Sequence, residues 1–172
     1  LQLDVIKAAG SVRVALVPGY VGEKFCKEVL GIKDDIIVKI GDHVGFMFEE
    51  CVKKGIHEVI FAGHIGKLVK VANGQFNTHC QYGDGRIDTI ARYAGLAKAS
   101  EEIIQELSLQ ETAETAGEIL RKNNLTAVFD MLAKVAVENL NELVNSALKI
   151  NCYILSLQGE ALGNCLNFRE NE

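Results

Sequence analysis

The sequence predicts an α/β fold in which an open, mainly parallel sheet is flanked by helices and the C-terminal half is helical. Three short apolar runs, at residues 12–17, 36–40 and 58–62, are each followed by a glycine-containing turn and a segment of helical periodicity. Repeated strand–turn–helix units are typical of parallel sheets with crossover helices. Thirteen of the 16 glycines lie in residues 1–95, which places the tight turns in the first half.

The helices of these three units are bounded by recognisable signals. Each ends at a glycine or an Asn-Gly pair, because glycine readily adopts the left-handed backbone that stops a helix. Asp42 is expected to cap the second helix, since its carboxylate can accept from the free N–H groups of the first turn. The three predicted helices are 23–30, 44–54 and 64–72.

The chain beyond residue 85 predicts a series of helices and one last strand. Ser100, followed by Glu101 and Glu102, is a typical helix start. Apolar residues recur on one side of a long amphipathic segment that ends near residue 149. The predicted elements are helices at 85–95, from Ser100 onward, at 111–122 and at 126–149, and a strand at 152–157.

Length and composition predict one α/β domain spanning residues 1–172. The chain is 48% hydrophobic and 24% charged, which is ordinary for a folded domain. Residues 1–10 and 158–172 are expected to be peripheral. The first residue is Leu rather than Met, so we expect the chain to be a fragment or a processed form of a longer protein.

Charge and cysteine usage narrow the function classes. The net charge of −5 disfavours nucleic-acid binding and anionic membranes, both of which require excess Lys and Arg. No apolar run approaches the roughly 18 residues of a membrane span. The five cysteines contain no C-x-x-C pair, which favours a reducing, cytoplasmic setting over a disulfide framework.

The turns after the three strands are the first candidates for a ligand site, because open parallel sheets bind ligands outside the carboxyl ends of their strands. Gly19 and Gly22 in the first turn leave room for a ligand to approach the backbone. Asp42 follows Gly19 by 23 residues, a position where dinucleotide-type folds place an acid for ribose hydroxyls. The alternative is that Asp42 is only a helix cap.

A stronger signal is a 25-residue stretch, 59–83, that contains no Asp or Glu. It carries Lys67, Lys70, His64 and His79, and its second half is polar and rich in turn residues. Such a segment favours anion recognition. The alternative is a solvated turn beside an ordinary helix with two lysines.

The histidines and cysteine of this stretch do not predict a metal site. His64, His79 and Cys80 match no compact zinc spacing, and no second cysteine lies nearby. A nucleophile–base pair of Cys80 and His79 is also disfavoured, because adjacent residues in an extended segment point apart.

At this stretch the sequence resembles a known family. Residues 59–94, VIFAGHIGKLVKVANGQFNTHCQYGDGRIDTIARYA, are similar to the signature region of the cobalt-precorrin-5B C(1)-methyltransferases of anaerobic cobalamin biosynthesis. Residues 15–32 and 40–59 resemble the sheet units that precede it, and the likeness runs from about residue 11 to about residue 157. Family members usually carry an N-terminal half with a Gly-Tyr-Thr-Thr-Gly segment, which is absent here.

The resemblance implies methyl transfer from S-adenosylmethionine to ring carbon 1 of a cobalt-bearing tetrapyrrole, with the missing N-terminal half as a partner. Whether the chain alone is active stays open. His64 or His79 is the expected general base. The implied cofactor-binding residues are Gly19, Tyr20, Gly22, Gly41, Asp42 and Gly63. The implied substrate-binding residues, suited to acetate and propionate groups, are Lys67, Lys70, Asn77, Thr78 and Arg86.

Two other classes remain open on the sequence. One is a nicotinamide- or flavin-type oxidoreductase, which the incomplete glycine fingerprint disfavours. The other is a non-catalytic tetrapyrrole- or nucleotide-binding module. The sequence does not fix the oligomeric state, so a homo-oligomer also stays open.

Overall fold

A five-stranded sheet organises the fold in the computed structural model, which describes residues 1–171. The strand order is β2-β1-β3-β4-β5, with four parallel strands and an antiparallel β5 at one edge. This confirms the predicted open, mainly parallel sheet. The strands are β1 (Arg13–Val17), β2 (Ile37–Lys39), β3 (Glu58–His64), β4 (Lys149–Leu155) and β5 (Ala161–Cys165).

Helices connect the strands and fill the second half, as the periodicity predicts. Short 3₁₀ turns at Asp34–Ile36 and Cys80–Tyr82 complete the elements within residues 1–171. The helices are α1 (Gln2–Ala8), α2 (Tyr20–Glu28), α3 (Val44–Lys53), α4 (Ile65–Ala72), α5 (Arg86–Leu96), α6 (Glu101–Ser108), α7 (Ala113–Lys122) and α8 (Ala127–Leu143).

The sequence prediction is wrong about the cap of α3 and about the end of α8. The N-cap of α3 is His43 and no side chain caps it, so the expectation that Asp42 caps this helix is wrong. The predicted helix at 126–149 ends at Leu143, because Asn145 and Ser146 adopt positive φ angles of 52° and 57°. The chain then turns directly into β4, whose pairing with β3 overrides the helical periodicity of residues 144–149.

The two faces of the sheet carry different helices. Side chains alternate along β1, so Val14 and Leu16 join a core with α3, α4 and α8, while Ala15 and Val17 face α2. Consequently α2, which follows β1, and α4, which follows β3, begin on opposite faces. The helices therefore change from one face to the other between β1 and β3. These two strands are neighbours in the sheet, although β2 lies between them in the chain.

Both terminal segments contribute more than their expected peripheral position implies. Leu3 and Ile6 of α1 are only 4% and 2% exposed and belong to the main core. At the other end, β5 pairs with β4, and a Cβ atom at Gly163 would lie 2.5 Å from the Phe129 Cβ atom of α8. No helix within residues 1–171 is both long and apolar enough to cross a bilayer.

Candidate functional site

Most of the candidate residues that surround the acid-free stretch meet in one place. A cleft of about 310 Å³, here called the α4 cleft, lies where β2 and β3 end, α4 begins and the 73–85 loop folds back. Its lining residues are Asp42, His64, Gly66, Lys67, Lys70, Thr78, His79, Cys80 and Arg86.

Backbone hydrogen bonds hold the 73–85 loop against the turn before α3. Gly45 N donates to Phe76 O at 3.0 Å, and Thr78 N donates to Asp42 O at 3.1 Å. A Cβ atom on Gly45 would lie 2.7 Å from the Phe76 Cβ atom, so this close approach requires glycine. The contact explains why a segment without helical or strand periodicity has one defined conformation.

Asp42 is bound within the α4 cleft by two donors. The Lys67 ammonium forms an ion pair with Asp42 Oδ1, and Thr78 Oγ1 donates to the same oxygen at 2.7 Å. These hydrogen bonds, with that of Lys67 the stronger, hold the pKa of Asp42 below its ordinary value. Asp42 Oδ2 makes no hydrogen bond within residues 1–171, so this oxygen is available to a ligand.

Lys70 is a buried cation that has no carboxylate partner within residues 1–171. It is 6% exposed, lines the cleft, and donates to the backbone carbonyl of Thr78 at 2.8 Å. A buried ammonium ordinarily requires an anionic partner, because a single neutral acceptor replaces little of its lost hydration. Lys70 thus has a neutral acceptor but no ion pair within residues 1–171, although its charge contributes to the lowered pKa of Asp84.

The other two cations of the cleft are already paired. Lys67 contacts Asp42, and Arg86 binds Asp84 through two hydrogen bonds of 2.7 and 2.6 Å. The guanidinium of Arg86, with a smaller contribution from the charge of Lys70, lowers the pKa of Asp84 to about 2. The absence of acids from residues 59–83 therefore does not extend to the surroundings of the cleft, because Asp42 pairs with Lys67 through the fold and Asp84 pairs with Arg86 two residues away.

His64 is fixed by hydrogen bonds at both ring nitrogens. Its Nδ1 accepts from Gly66 N at 3.1 Å and so caps α4, while its Nε2 lies 2.9 Å from Glu114 Oε2. Glu114 also accepts from Leu157 N at 3.2 Å. Because Nδ1 is an acceptor, the neutral ring carries its proton on Nε2. This N–H group donates a hydrogen bond to Glu114. In this arrangement neither ring nitrogen of His64 has a free lone pair, and its role as general base stays a prediction.

His79 has a related arrangement in the loop. Its Nδ1 accepts from Gln81 N at 3.2 Å, so the proton of the neutral ring lies on Nε2. His79 therefore offers a donor to a ligand rather than a free lone pair. The Cys80 Sγ atom lies 3.9 Å from His79 Nδ1, because the 3₁₀ turn brings these neighbours together where an extended segment would not.

The glycine turns have two different structural roles. A Cβ atom at Gly22 would lie 2.0 Å from Ala62 O, and one at Gly63 would lie 2.6 Å from Pro18 Cγ. Glycine is therefore required at these two positions for close packing, whereas their predicted contact with a cofactor stays a prediction. Gly19 and Gly41, by contrast, have open space at the Cβ position.

The predicted cofactor residues do not share one cleft. Tyr20 lines a separate cleft of about 520 Å³ beside α2, here called the α2 cleft, and none of Gly19, Tyr20 and Gly22 lines the α4 cleft. The first glycine turn and Lys67 thus line different clefts, and whether these residues bind one cofactor stays a prediction. The turns before α2 and α4 are nevertheless adjacent, because a Cβ atom on Gly63 would lie 2.6 Å from Pro18 Cγ.

Sequence reasoning missed two acids that shape the site. Glu114 is the acid in the first turn of α7, where an acid is common in any helix, so its position gave no distinctive signal. Asp84 stands two residues before Arg86, and this spacing is the one hint of their pairing. Asn77 was expected to bind substrate, but its Oδ1 accepts from His79 N at 3.1 Å and orders the loop.

Comparisons with known proteins identify the family. Residues 77–165 match the family model described as CbiD, C-terminal domain. A cobalt-precorrin-5B C(1)-methyltransferase of Photorhabdus laumondii is 36% identical over 166 residues, covering 95% of this chain and 44% of the relative. The enzyme of the same name from Methanocaldococcus jannaschii is 37% identical over 164 residues, covering 95% and 45%. That of Moorella thermoacetica is 36% identical over 163 residues, covering 94% and 45%.

The chain spans about half the length of the curated relatives it matches. No solved structure matches it. The family model covers more than half of the chain, and the relatives cover nearly all of it at similar identity. This chain therefore belongs to the CbiD family, as its C-terminal domain.

Proposed function

We propose that this domain is part of an enzyme that methylates ring carbon 1 of cobalt-precorrin-5B, and that its α4 cleft binds a carboxylate of that substrate. The names of the relatives support the reaction, and the chemistry of the cleft supports the role of the domain. The observation that carries the proposal is Lys70, the buried cation without a carboxylate partner in residues 1–171.

A substrate carboxylate suits this position for electrostatic reasons. The carboxylate would supply the negative partner with which Lys70 makes no ion pair in this domain. Water screens the attraction weakly there, because Lys70 is buried. His79 would add a neutral N–H donor from Nε2. The tetrapyrrole carries several acetate and propionate groups, so one of them can enter the cleft while the ring lies outside it.

Arg86 is oriented for a supporting role. Asp84 holds its Nε and Nη2 atoms, while Nη1 lies 3.5 Å from the position that a Cβ atom on Gly66 would occupy. Gly66 thus leaves room beside the guanidinium, and we assign Nη1 to a second contact with the same anionic group.

The methyl donor that we propose is S-adenosylmethionine. Its sulfonium methyl group is already activated, so the enzyme chiefly aligns the donor with the carbon nucleophile and needs no nucleophilic side chain. The residues of this domain fit such a donor in part, because Asp42 Oδ2 and the open turn at Gly41 can meet ribose hydroxyls. Gly19 and Tyr20 do not line the α4 cleft, so we infer that the rest of the enzyme completes the donor site.

We assign no proton acceptor to this domain. Both His64 and His79 use Nδ1 to accept backbone N–H groups, so neither presents a lone pair to the substrate in its neutral form. The absence of a proton acceptor favours the alternative in which this domain binds the tetrapyrrole but does not catalyse methyl transfer by itself. This chain alone binds the tetrapyrrole, and turnover requires the remainder of the enzyme.

A binding titration tests the proposal. A cobalt corrinoid with free carboxylates is titrated into the chain by isothermal calorimetry, and its methyl ester serves as the uncharged probe. Lys70→Met keeps the length of the side chain and removes the charge, while Lys134→Met on the exposed side of α8 is the matched control. We expect Lys70→Met and the ester each to weaken binding at least about tenfold, as loss of a charged hydrogen bond predicts.

Equal affinity for the acid and the ester would contradict the proposed carboxylate site. Equal loss in the two lysine variants would also contradict it, because that result would reflect net charge rather than this position. Methyl transfer itself is tested by supplying S-adenosylmethionine, cobalt-precorrin-5B and the unmatched portion of the Photorhabdus laumondii relative. Turnover by this chain without that portion would contradict the proposal that methyl transfer requires the rest of the enzyme.

A further inference from the structure

The two faces of the sheet are covered very unequally within residues 1–171. The core on the face of α3, α4 and α8 contains 36 buried hydrophobic residues, whereas the core on the α2 side contains nine. One nine-residue helix, the loop that carries Leu30 and Ile32, and the irregular C-terminal residues cover this second face. Parallel strands are ordinarily covered by substantial structure on both faces. The α2 side is therefore where the fold leaves room for more protein.

Apolar side chains are exposed on this side. Tyr20, Val29 and Leu157 are 71%, 64% and 56% exposed, and all three line the α2 cleft. Leu166 is 52% exposed and lines a neighbouring cleft of about 690 Å³ formed with the C-terminal residues. We call the surface formed by Tyr20, Val29 and Leu157 the α2 face. Apolar side chains exposed together around one cleft are typical of an interaction site.

Two buried rings, which are 4% and 7% exposed, lie beneath the two clefts in one core. Phe25 lines the α2 cleft and Tyr153 lines the neighbouring one, and their ring centroids are 5.2 Å apart. The α2 cleft also exposes Lys24 and Glu28, which provide charged groups beside the apolar centre. An apolar centre with a polar rim is the usual composition of a protein–protein interface.

The relatives indicate what occupies this surface. Each matches this chain over 44% or 45% of its length, so each has more residues outside the match than inside it.

We propose that the α2 face is the docking surface for the portion of the CbiD enzyme that lies outside this domain. The two portions then pack across the sheet, with the α2 cleft at their interface. This inference concerns assembly and does not depend on the methyl-transfer proposal, because its test contains neither tetrapyrrole nor methyl donor.

Calorimetric titration tests the docking surface. The unmatched portion of the Photorhabdus laumondii relative, produced as a separate chain, is titrated into this chain. Tyr20→Asp and Leu157→Asp place a charge on the α2 face, and both side chains are exposed enough to leave folding intact. Leu109→Asp, at an 81% exposed position after α6, is the control. We expect binding by the wild type, at least tenfold weaker binding by each α2-face variant, and no change in the control.

Two results would overturn the proposal in this titration. One is wild-type affinity in both α2-face variants. The other is self-association of this chain that these variants abolish, because the occupant would then be a second copy.

A second measurement covers the case in which the separate portion does not fold. Hydrogen exchange of the intact Photorhabdus laumondii relative is compared with that of its matched portion alone. We expect added protection in the segment aligned with α2, and equal exchange there would overturn the proposal.

Discussion

Replacing Gly22 by Ala tests whether the first glycine turn serves packing or ligand binding. The new Cβ atom would lie 2.0 Å from Ala62 O and 3.2 Å from Val17 Cβ, so α2 must move away from β3 to accommodate it. Overpacking of this kind costs about 1–3 kcal/mol or more. The better helix propensity of alanine offsets at most about 1 kcal/mol of this destabilisation.

The net result expected for Gly22→Ala is a loss of about 2 kcal/mol or more in the free energy of unfolding. In a chain of this size, that loss lowers the melting temperature by roughly 4–8 °C. Gly19→Ala is the matched control, because Gly19 has an extended backbone with φ −169° and no atom lies within 4 Å of the position that the new methyl group would take. Its unfolding free energy should change by less than about 1 kcal/mol.

Thermal and urea unfolding, followed by circular dichroism, measure both variants under the same conditions. We expect Gly22→Ala to be clearly the less stable of the two. Equal free energies of unfolding in the two variants would refute this expectation. The close approach of α2 to the Ala62 carbonyl would then make no contribution to stability that requires glycine.

Other residues give shorter tests. Glu114→Ala removes an acceptor that joins α4, α7 and the turn after β4, so it should cost about 1–3 kcal/mol in urea unfolding, whereas Glu118→Ala on the exposed side of α7 should cost little. Asp84 has a folded pKa of about 2, below its unfolded value, so its contribution to stability is present above about pH 4 and is lost as the pH falls toward 2. The stability difference between wild type and Asp84→Asn should therefore shrink on acidification, and a constant difference would argue against the ion pair. Cys80 is exposed, while burial raises the pKa of Cys26 to about 12, so a thiol reagent should modify Cys80 rapidly and Cys80→Ser should remove that fast phase.

The sheet was predictable because its signals are local. Each strand is a short apolar run followed by a turn, and β-branched residues in the 58–62 run agree with burial on both faces. The end of α8 was not predictable from the pattern, because Asn145 and Ser146 interrupt a periodicity that residues 144–149 otherwise continue. The competing pairing of β4 with β3 is a long-range effect that no local window contains.

The cleft was predictable in part for the same reason. The acid-free stretch correctly indicated Lys67, Lys70 and His79 as neighbours, because they lie close together in the chain. Their partners were not predictable, since Asp42 is 25 residues from Lys67 and reaches it only through the sheet. The placement of α2 and α4 on opposite faces is likewise set by strand order, which a single sequence does not reveal.

The tautomers of the histidines show a further limit of sequence reasoning. His64 and His79 are suitable general bases by residue type. Each instead precedes a helical turn and uses Nδ1 to accept the N–H group two residues later. The role of each ring therefore depends on local backbone geometry rather than on composition.

The most direct test of the central claim is a crystal structure of this chain bound to a cobalt corrinoid with free carboxylates. We predict a ligand carboxylate oxygen within about 3 Å of Lys70 Nζ, the distance of a charged hydrogen bond. A corrinoid bound elsewhere, with Lys70 still bonded to the Thr78 carbonyl alone, would contradict the claim.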